Sequence, residues 1–417
     1  MNEIYRRPKK IKYSQIGKSC NDDFIKFIYE DFFEEKYKIF NLDEDEIKNL
    51  LKFRNFKSMN VFYPYNSKIP QYLDDLTNQA IEIKDVNLIQ GHKGNLYGFN
   101  TEFFGINKMI MKSNINLKDK NILILKNFQS INTLIYVLNS MQIKSYEILE
   151  RDDIKNMQNR DFDIIFNYID FTEKEIEELN LEAFSNLEHI YDFYCENLFS
   201  KINLQAMRLD ISVSSGLYKI LYQEKKSIEL LTRKRYSDEL FENILKKYLN
   251  KNLNIVLIGM PGSGKTTIGR KLAKLLDKEH IDLDEEFYYE YGISPSQYLR
   301  FESEEEFRKK EARIVERIGN LKNTVISTSG GVVQLLENYN HLKKNSIIVR
   351  VDRKLKYLST RNRPLSKGGI ETLIKMEKDR REKYKYFTDY VVENKGDFDK
   401  PAEMIKKIFK NHIKYGV

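Results

Sequence analysis

Residues 254–276 read NIVLIGMPGSGKTTIGRKLAKLL. The apolar run Ile255, Val256, Leu257, Ile258 has the length and uniformity of a strand covered on both faces. Gly259, Gly262 and Gly264 come next, then Lys265 and Thr266, in the spacing G-x-x-x-x-G-K-[ST]. Beyond them Ile268, Leu272 and Leu275 recur at helical intervals. A strand that passes through such a turn into a helix is the setting in which this pattern binds nucleotide phosphates. Glycines let the backbone curl until successive N–H groups face inward, and the new helix adds its positive end. Gly262, Ser263, Gly264, Lys265, Thr266 and Thr267 are therefore expected to hold the phosphates of a nucleotide. Lys265 is expected to reach the β- and γ-phosphates, and the Thr266 hydroxyl to ligate Mg²⁺.

Working outward, apolar runs recur at Val325–Thr328 and at 346–351 (SIIVRV), and before the motif at 122–125 (ILIL) and 163–166 (DIIF). Helix-like stretches separate them. Short apolar strands alternating with helices predict an α/β chain with parallel sheets covered on both faces. The stretch 234–252, KRYSDELFENILKKYLNKN, is polar and helix-like and marks a seam. It predicts one α/β unit over 1–236, a linker helix over 237–251 and a second unit over 252–413.

Apolar residues make up 41% of the 417, with 12% aromatic and 32% charged, which suffices for buried cores and excludes a disordered or collagen-like chain. No apolar run approaches the ~18–20 residues that cross a bilayer, and no apolar stretch follows Arg6, Arg7, Lys9 and Lys10 as a secretory signal would require. With two cysteines, Cys20 and Cys195, neither a disulfide framework nor a four-cysteine zinc site is available. A cytoplasmic protein is expected. The net charge of +8 is spread among mixed acids and bases, as in 301–317 (FESEEEFRKKEARIVER), so nucleic acid is not an expected partner. The excess suits small anions.

Five further groups bear on the phosphoryl acceptor. Asp282 and Asp284 lie two apart, so a strand end at Ile281–Asp284 would point both the same way, although an acidic helix start fits the same spacing. Arg308 and Glu311 share a helix face, for which an exposed ion pair is the ordinary explanation. Ser329, Gly330 and Gly331 follow a strand-like run, where glycines permit close backbone approach to a ligand. Arg361, Arg363 and Pro364, with Gly368 and Gly369, read as a basic flap. Arg380 stands four residues before Tyr384.

In order and spacing, the P-loop, D-x-D, F-R-x-x-E, x-G-G, R-P-L and R-x-x-x-Y resemble shikimate kinase across about 160 residues. The resemblance implies a P-loop kinase that phosphorylates the 3-hydroxyl of shikimate with ATP and Mg²⁺, on the route to chorismate and the aromatic amino acids. By motif position, Asp284 would hold and deprotonate that hydroxyl, and Arg308 and Arg380 would clamp the carboxylate. Gly330 and Gly331 would line the ring, and Asp282 would assist Mg²⁺ through water. Arg363 would meet the phosphates as a third catalytic group beside Lys265 and Asp284, and Arg361 would stack on adenine. This chain departs from the family in having Ser329 where a glycine is usual, in its short lid, and in Ser366. A P-loop kinase for another small hydroxy acid, with the first unit as a regulatory binding module, is the alternative.

The first unit carries Tyr13–Gly17, Asn60–Pro64, Asp85-Val86-Asn87, Gly98–Glu102, Ser215-Gly216-Leu217 and Tyr222-Gln223. In that order they resemble shikimate dehydrogenase. The resemblance implies a substrate-like half, 1–105 plus 216–236, and a Rossmann-like half, 106–212. The family's chemistry is missing. Only Ser19 remains of a serine pair, Asn66 stands at the catalytic lysine with Lys68 nearby, and Glu102 replaces an aspartate. The turn after Ile122–Leu125 reads Lys126-Asn-Phe128-Gln129-Ser-Ile131, without glycine, so Phe128 would occupy phosphate space. NADP binding is not expected, and a bifunctional dehydrogenase–kinase is the alternative. Asn87 and Gln223 are left as groups that could touch a polyol.

Overall fold

The computed structural model describes residues 11–415 apart from 20, 55, 144, 195 and 359–368. Two compact units result. One holds the described residues up to Glu196 together with Ser200–Tyr248, and the other Asn197–Phe199 and those from Leu249 onward. Among the described residues no helix is long and apolar enough to cross a membrane.

The first unit contains two sheets. Strands β1 (Ile11–Ile16), β2 (Lys38–Phe40), β3 (Phe56–Val61), β4 (Asp75–Leu76), β5 (Leu88–His92) and β6 (Asn95–Phe99) form a sheet in the order β2-β1-β3-β5-β6-β4. It is mixed, because β5 runs antiparallel to both β3 and β6. Strands β7 (Ile122–Lys126), β8 (Tyr146–Glu150), β9 (Ile164–Asn167), β10 (His189–Asp192) and β11 (Ser212–Ser215) form the second, in the order β11-β10-β9-β7-β8. All its pairings are parallel. Successive side chains leave opposite faces, so Leu123, Leu125, Ile165 and Ile190 enter one core. Ile122, Ile124, Ile164 and Tyr191 enter another. Each such side chain, taken wholly out of water, contributes about 1.5–3 kcal/mol.

The helix Asp238–Asn252 belongs to this first unit as far as Tyr248. Its aromatic residues explain why: Phe241 stacks on Phe32 at 5.6 Å and Tyr248 meets Phe24 at 4.6 Å. These contacts draw apolar rings into the core that the polar look of the seam conceals.

In the second unit β12 (Asn254–Ile258), β13 (Glu279–Asp282), β14 (Thr324–Ser327), β15 (Ser346–Asp352) and β16 (Tyr390–Glu393) form a five-stranded sheet, β13-β14-β12-β15-β16. All four pairings are parallel. Ile255, Val256, Leu257 and Ile258 are fully buried, as a central strand covered on both faces requires. The chain turns from one side of β12 to the other in this order, so the end of β12 lies at a topological switch point, where open α/β sheets bind ligands.

Candidate active site

The end of β12 and the start of the helix Lys265–Leu276 are joined by a loop whose glycines the backbone requires. Gly262 and Gly264 have φ of 84° and 104°. A Cβ on Gly264 would also lie 2.6 Å from Asn394 Nδ2, which itself donates to the Ser263 carbonyl at 2.7 Å. The Ser263 N–H closes the turn on the Met260 carbonyl at 3.1 Å. The Ser263 hydroxyl is buried and without a hydrogen-bond partner among the described residues. A buried donor left in that condition is costly, and a phosphate oxygen would satisfy it. Lys265 is folded across the loop, donating to the carbonyls of Gly259 at 2.8 Å and Met260 at 3.1 Å. Thr267 is exposed on the first helical turn.

The D-x-D pair is arranged differently from the strand reading. β13 ends at Asp282, and a helix spans Leu283–Tyr291, so Asp284 stands in a first helical turn rather than on a strand. The cause is local. Asp282 is an N-cap whose Oδ1 accepts the Asp284 N–H at 3.0 Å, which bends the chain out of the sheet. The two carboxylates then diverge in role. Asp282 Oδ2 accepts the Thr266 hydroxyl at 2.6 Å, whereas Asp284 lines a cleft of about 490 Å³. Among the described residues no three His, Cys, Asp or Glu side chains are grouped as a metal cage. A hydroxyl and a carboxylate at the mouth of a phosphate loop do fit Mg²⁺, which keeps waters and borrows phosphate oxygens. Thr266 and Asp282 would be its protein-side holders.

The same cleft is lined by Arg308, Gly330, Gly331 and Arg380, and it borders Pro261 of the loop. Of the acceptor residues named from sequence, the fold therefore brings these four together with Asp284. Arg361 and Arg363 lie outside the described residues.

Arg308 is held from behind. Its Nη1 donates to Glu311 Oε2 at 2.7 Å, and both side chains are buried, with 8% and 1% exposure. The F-R-x-x-E spacing is thus a desolvated ion pair, not the exposed one that such spacing usually means. Burial works against the Arg308 charge, but Glu311 and Glu304 outweigh it and hold its pKa above the ordinary guanidinium value. The other Glu311 oxygen accepts the Ser329 hydroxyl at 2.5 Å. Ser329 also accepts the Gly331 N–H at 3.2 Å, so the serine that replaces the usual glycine ties the loop to the arginine's counter-ion. A Cβ on Gly331 would fall 1.9 Å from Arg308 Nη2, so any larger residue there would push the guanidinium end out of its place.

The R-x-x-x-Y spacing has an equally direct cause. On the helix Gly369–Phe387, Arg380 and Tyr384 are one turn apart, and both donate to the Gly330 carbonyl, at 2.8 and 2.6 Å. Burial pushes the Tyr384 hydroxyl up to about 12, so it stays a donor at any working pH. Ser329, Tyr384 and Asn394 are functional neighbours that the motif reading did not assign. Adjacency to x-G-G and the i, i+4 interval signalled Ser329 and Tyr384, whereas Asn394 reaches the loop only through the fold.

In the first unit, Lys68, Glu102, Asn87 and Gln223 have side-chain partners within the unit. Lys68 pairs with Glu44 at 3.1 Å, and Glu102 with Lys219 at 2.7 Å. The Asn66 backbone carbonyl accepts the Val86 N–H at 3.1 Å. Asn87 is spent on Thr101, donating to its hydroxyl and accepting its N–H. Gln223 donates to Glu224 at 2.9 Å. Glu224 also accepts from Tyr29 at 3.0 Å and from Asn60 at 2.8 Å. Phe128 stands 81% exposed at the end of β7.

A family model described as shikimate kinase matches residues 261–412. Shikimate kinase of Caldicellulosiruptor saccharolyticus is 45% identical over 121 residues, 28% of this chain and 70% of that protein. Shikimate kinase of Clostridium botulinum (strain Alaska E43) is 37% identical over 163 residues, 38% of this chain and 98% of that protein. Among solved structures, shikimate dehydrogenase 1 from Peptoclostridium difficile aligns with 57% of this chain and 97% of its own, at TM-score 0.49 and 19% identity. Shikimate kinase from Acinetobacter baumannii in complex with shikimate aligns with 40% of this chain and 98% of its own, at TM-score 0.38 and 28% identity.

Proposed function

From the premise that the chain belongs to the shikimate kinase family, we propose that its second unit transfers the γ-phosphoryl group of ATP to the 3-hydroxyl of shikimate, yielding ADP and 3-phosphoshikimate. The reaction would be a cytoplasmic step toward chorismate and the aromatic amino acids. One observation carries the acceptor assignment: two guanidiniums with 8% and 4% side-chain exposure, Arg308 and Arg380, line the same cleft as Asp284 beside the phosphate loop. Planar forks of that kind match a carboxylate, and paired cations so far from water favour an acid over a neutral sugar.

The loop N–H groups and the Ser263 hydroxyl take the phosphates. Lys265 exchanges its carbonyl partners for phosphate oxygens, placing its charge where negative charge accumulates during transfer. Thr266 and Asp282 would hold Mg²⁺, which would supply positive charge against the phosphates. Asp284 accepts the proton of the attacking hydroxyl, and the arginine clamp sets that hydroxyl in line. Arg363 is assigned to the transferring group and Arg361 to adenine.

We assign no shikimate oxidation to the first unit. The glycine-free turn at 127–131 and the internal commitment of Asn87, Glu102 and Gln223 support this. The test of the main reading is ADP release by the pure full chain across shikimate, gluconate and other small hydroxy acids. Release with shikimate alone is expected, and faster release with gluconate would replace the reading.

A further inference from the structure

The carboxylate clamp already holds a carboxylate. Glu304 Oε1 lies 3.0 Å from Arg308 Nη2 and 3.8 Å from Arg380 Nη2, so one oxygen faces both guanidiniums. Glu311 answers one of the two positive charges from the far side of Arg308. Glu304 answers the other. Unlike Glu311, it is 43% exposed, sits in the first turn of the helix Glu304–Ile318, and can turn into water without moving backbone. Both clamp arginines also keep a buried Nε–H with no hydrogen-bond partner among the described residues, so the clamp has donors that Glu304 leaves unused.

We propose that Glu304 is an internal counter-ion that the acceptor's carboxylate displaces when it binds. This inference rests on the acceptor reading given above. Without Glu304 the clamp would carry one uncompensated charge away from water, a costly state. With Glu304 and a bound substrate carboxylate both in place, the excess would be negative. Exchange of one carboxylate for the other keeps the balance at each stage. It also makes the clamp selective, since a neutral polyol has nothing with which to expel Glu304. The consequence is a reduced apparent affinity for the acid, because only the fraction of molecules with Glu304 turned away can bind it.

The test compares Glu304→Gln with Glu305→Gln in the full chain. Glu305 lies in the same first turn, 79% exposed and paired with Lys309, so its variant loses the same charge from the same helix end. Glu304→Gln is expected to lower the KM for shikimate by roughly three- to ten-fold, the gain from freeing a clamp occupied most of the time. Its kcat should stay within about two-fold and its KM for ATP unchanged, and Glu305→Gln should change none of the three. A shikimate KM that is unchanged or raised in Glu304→Gln, or lowered equally in Glu305→Gln, would overturn the proposal. Calorimetric titration with benzoate, a ring acid with no hydroxyl to phosphorylate, separates this from the acceptor assignment. If the wild type fails to phosphorylate shikimate, that assignment falls. Tighter benzoate binding by Glu304→Gln then still supports the exchange, and unchanged or weaker binding ends it.

Discussion

Two strand–turn–helix junctions in this chain start alike and end differently. β7 and β12 are both buried apolar strands of parallel sheets, each followed by a helix. After β12 come Gly262 and Gly264 at positive φ, a buried Ser263 hydroxyl with no described partner, and Lys265 at the helix start. After β7 come five residues without glycine, none at positive φ, and the helix Asn132–Ser140 has no side-chain cap. That second turn is used for cohesion. The Ser130 hydroxyl donates to Asp85 at 2.6 Å, and Asn100 donates to Thr133 at 3.1 Å, tying the β7 sheet to the mixed sheet within the first unit. A strand of this kind supplies a place for phosphate, and the turn decides whether the place is used.

The sharpest way to break this contrast is at the first junction. Lys265→Ala is expected to cut phosphoryl transfer by about 10³-fold for any acceptor, since a preorganised charge at the transferring group is lost. ADP release under saturating ATP measures it, and residual activity near wild type would detach the loop from the chemistry. Asp284→Asn should lower transfer to shikimate by about 10²-fold while leaving ATP binding intact, the mark of a group that meets only the acceptor. Arg308→Ala or Arg380→Ala should raise the KM for shikimate roughly thirty-fold or more, with little change for ATP, because truncation leaves a desolvated partner unpaired. Equal effects on both substrates would make the Arg308–Glu311 pair a structural one.

At the second junction, titration with NADP followed by tyrosine fluorescence should give no saturable change, and shikimate should produce no NADPH. Saturation with turnover on the scale of seconds would erase the contrast and bring Lys68 forward as a displaced catalytic lysine. A further expected effect is on stability. Burial pushes Glu224 up to about 7, against an ordinary 4.5, and Asp192 likewise from 3.8 up to about 7. A carboxyl whose folded pKa is raised binds its proton more tightly in the folded state. Its contribution is complete below about pH 4 and is lost as pH rises through about 7, on the order of 3 kcal/mol for Glu224. Glu224→Gln should therefore make the decline in stability between pH 5 and 7.5 shallower, read from urea unfolding or hydrogen exchange in 216–232. An unaltered slope would show that Glu224 titrates normally.

Much of the kinase unit could be read along the chain because its signals are contiguous. A phosphate loop needs positive φ at fixed intervals, a lysine and a hydroxyl at the helix start, and a buried strand before them. All of these are properties of neighbouring residues. The pairs Arg308 with Glu311 and Arg380 with Tyr384 follow from helical spacing in the same way. The strand reading of Ile281–Asp284 failed because period-two alternation and an N-cap compete for the same D-x-D letters. The side-chain bond from Asp282 to the Asp284 N–H settles the matter in favour of the helix.

What the amino-acid sequence by itself determined was the α/β class, the phosphate-loop pattern and which of its singled-out residues, Asp284, Arg308, Gly330, Gly331 and Arg380, meet in one cleft. Only tertiary structure decided how charge is balanced there. Ser329 reaches Glu311 across 18 residues, and Glu304 meets Arg380 only because two helices are brought to one cleft. In the first unit Glu224 accepts from Tyr29 and Asn60, 195 and 164 residues away, and so takes up donors that the motifs left open. Local pattern specifies which groups a segment presents. Whether a buried donor or charge is free for a ligand depends on every other group that folding carries within hydrogen-bond distance of it.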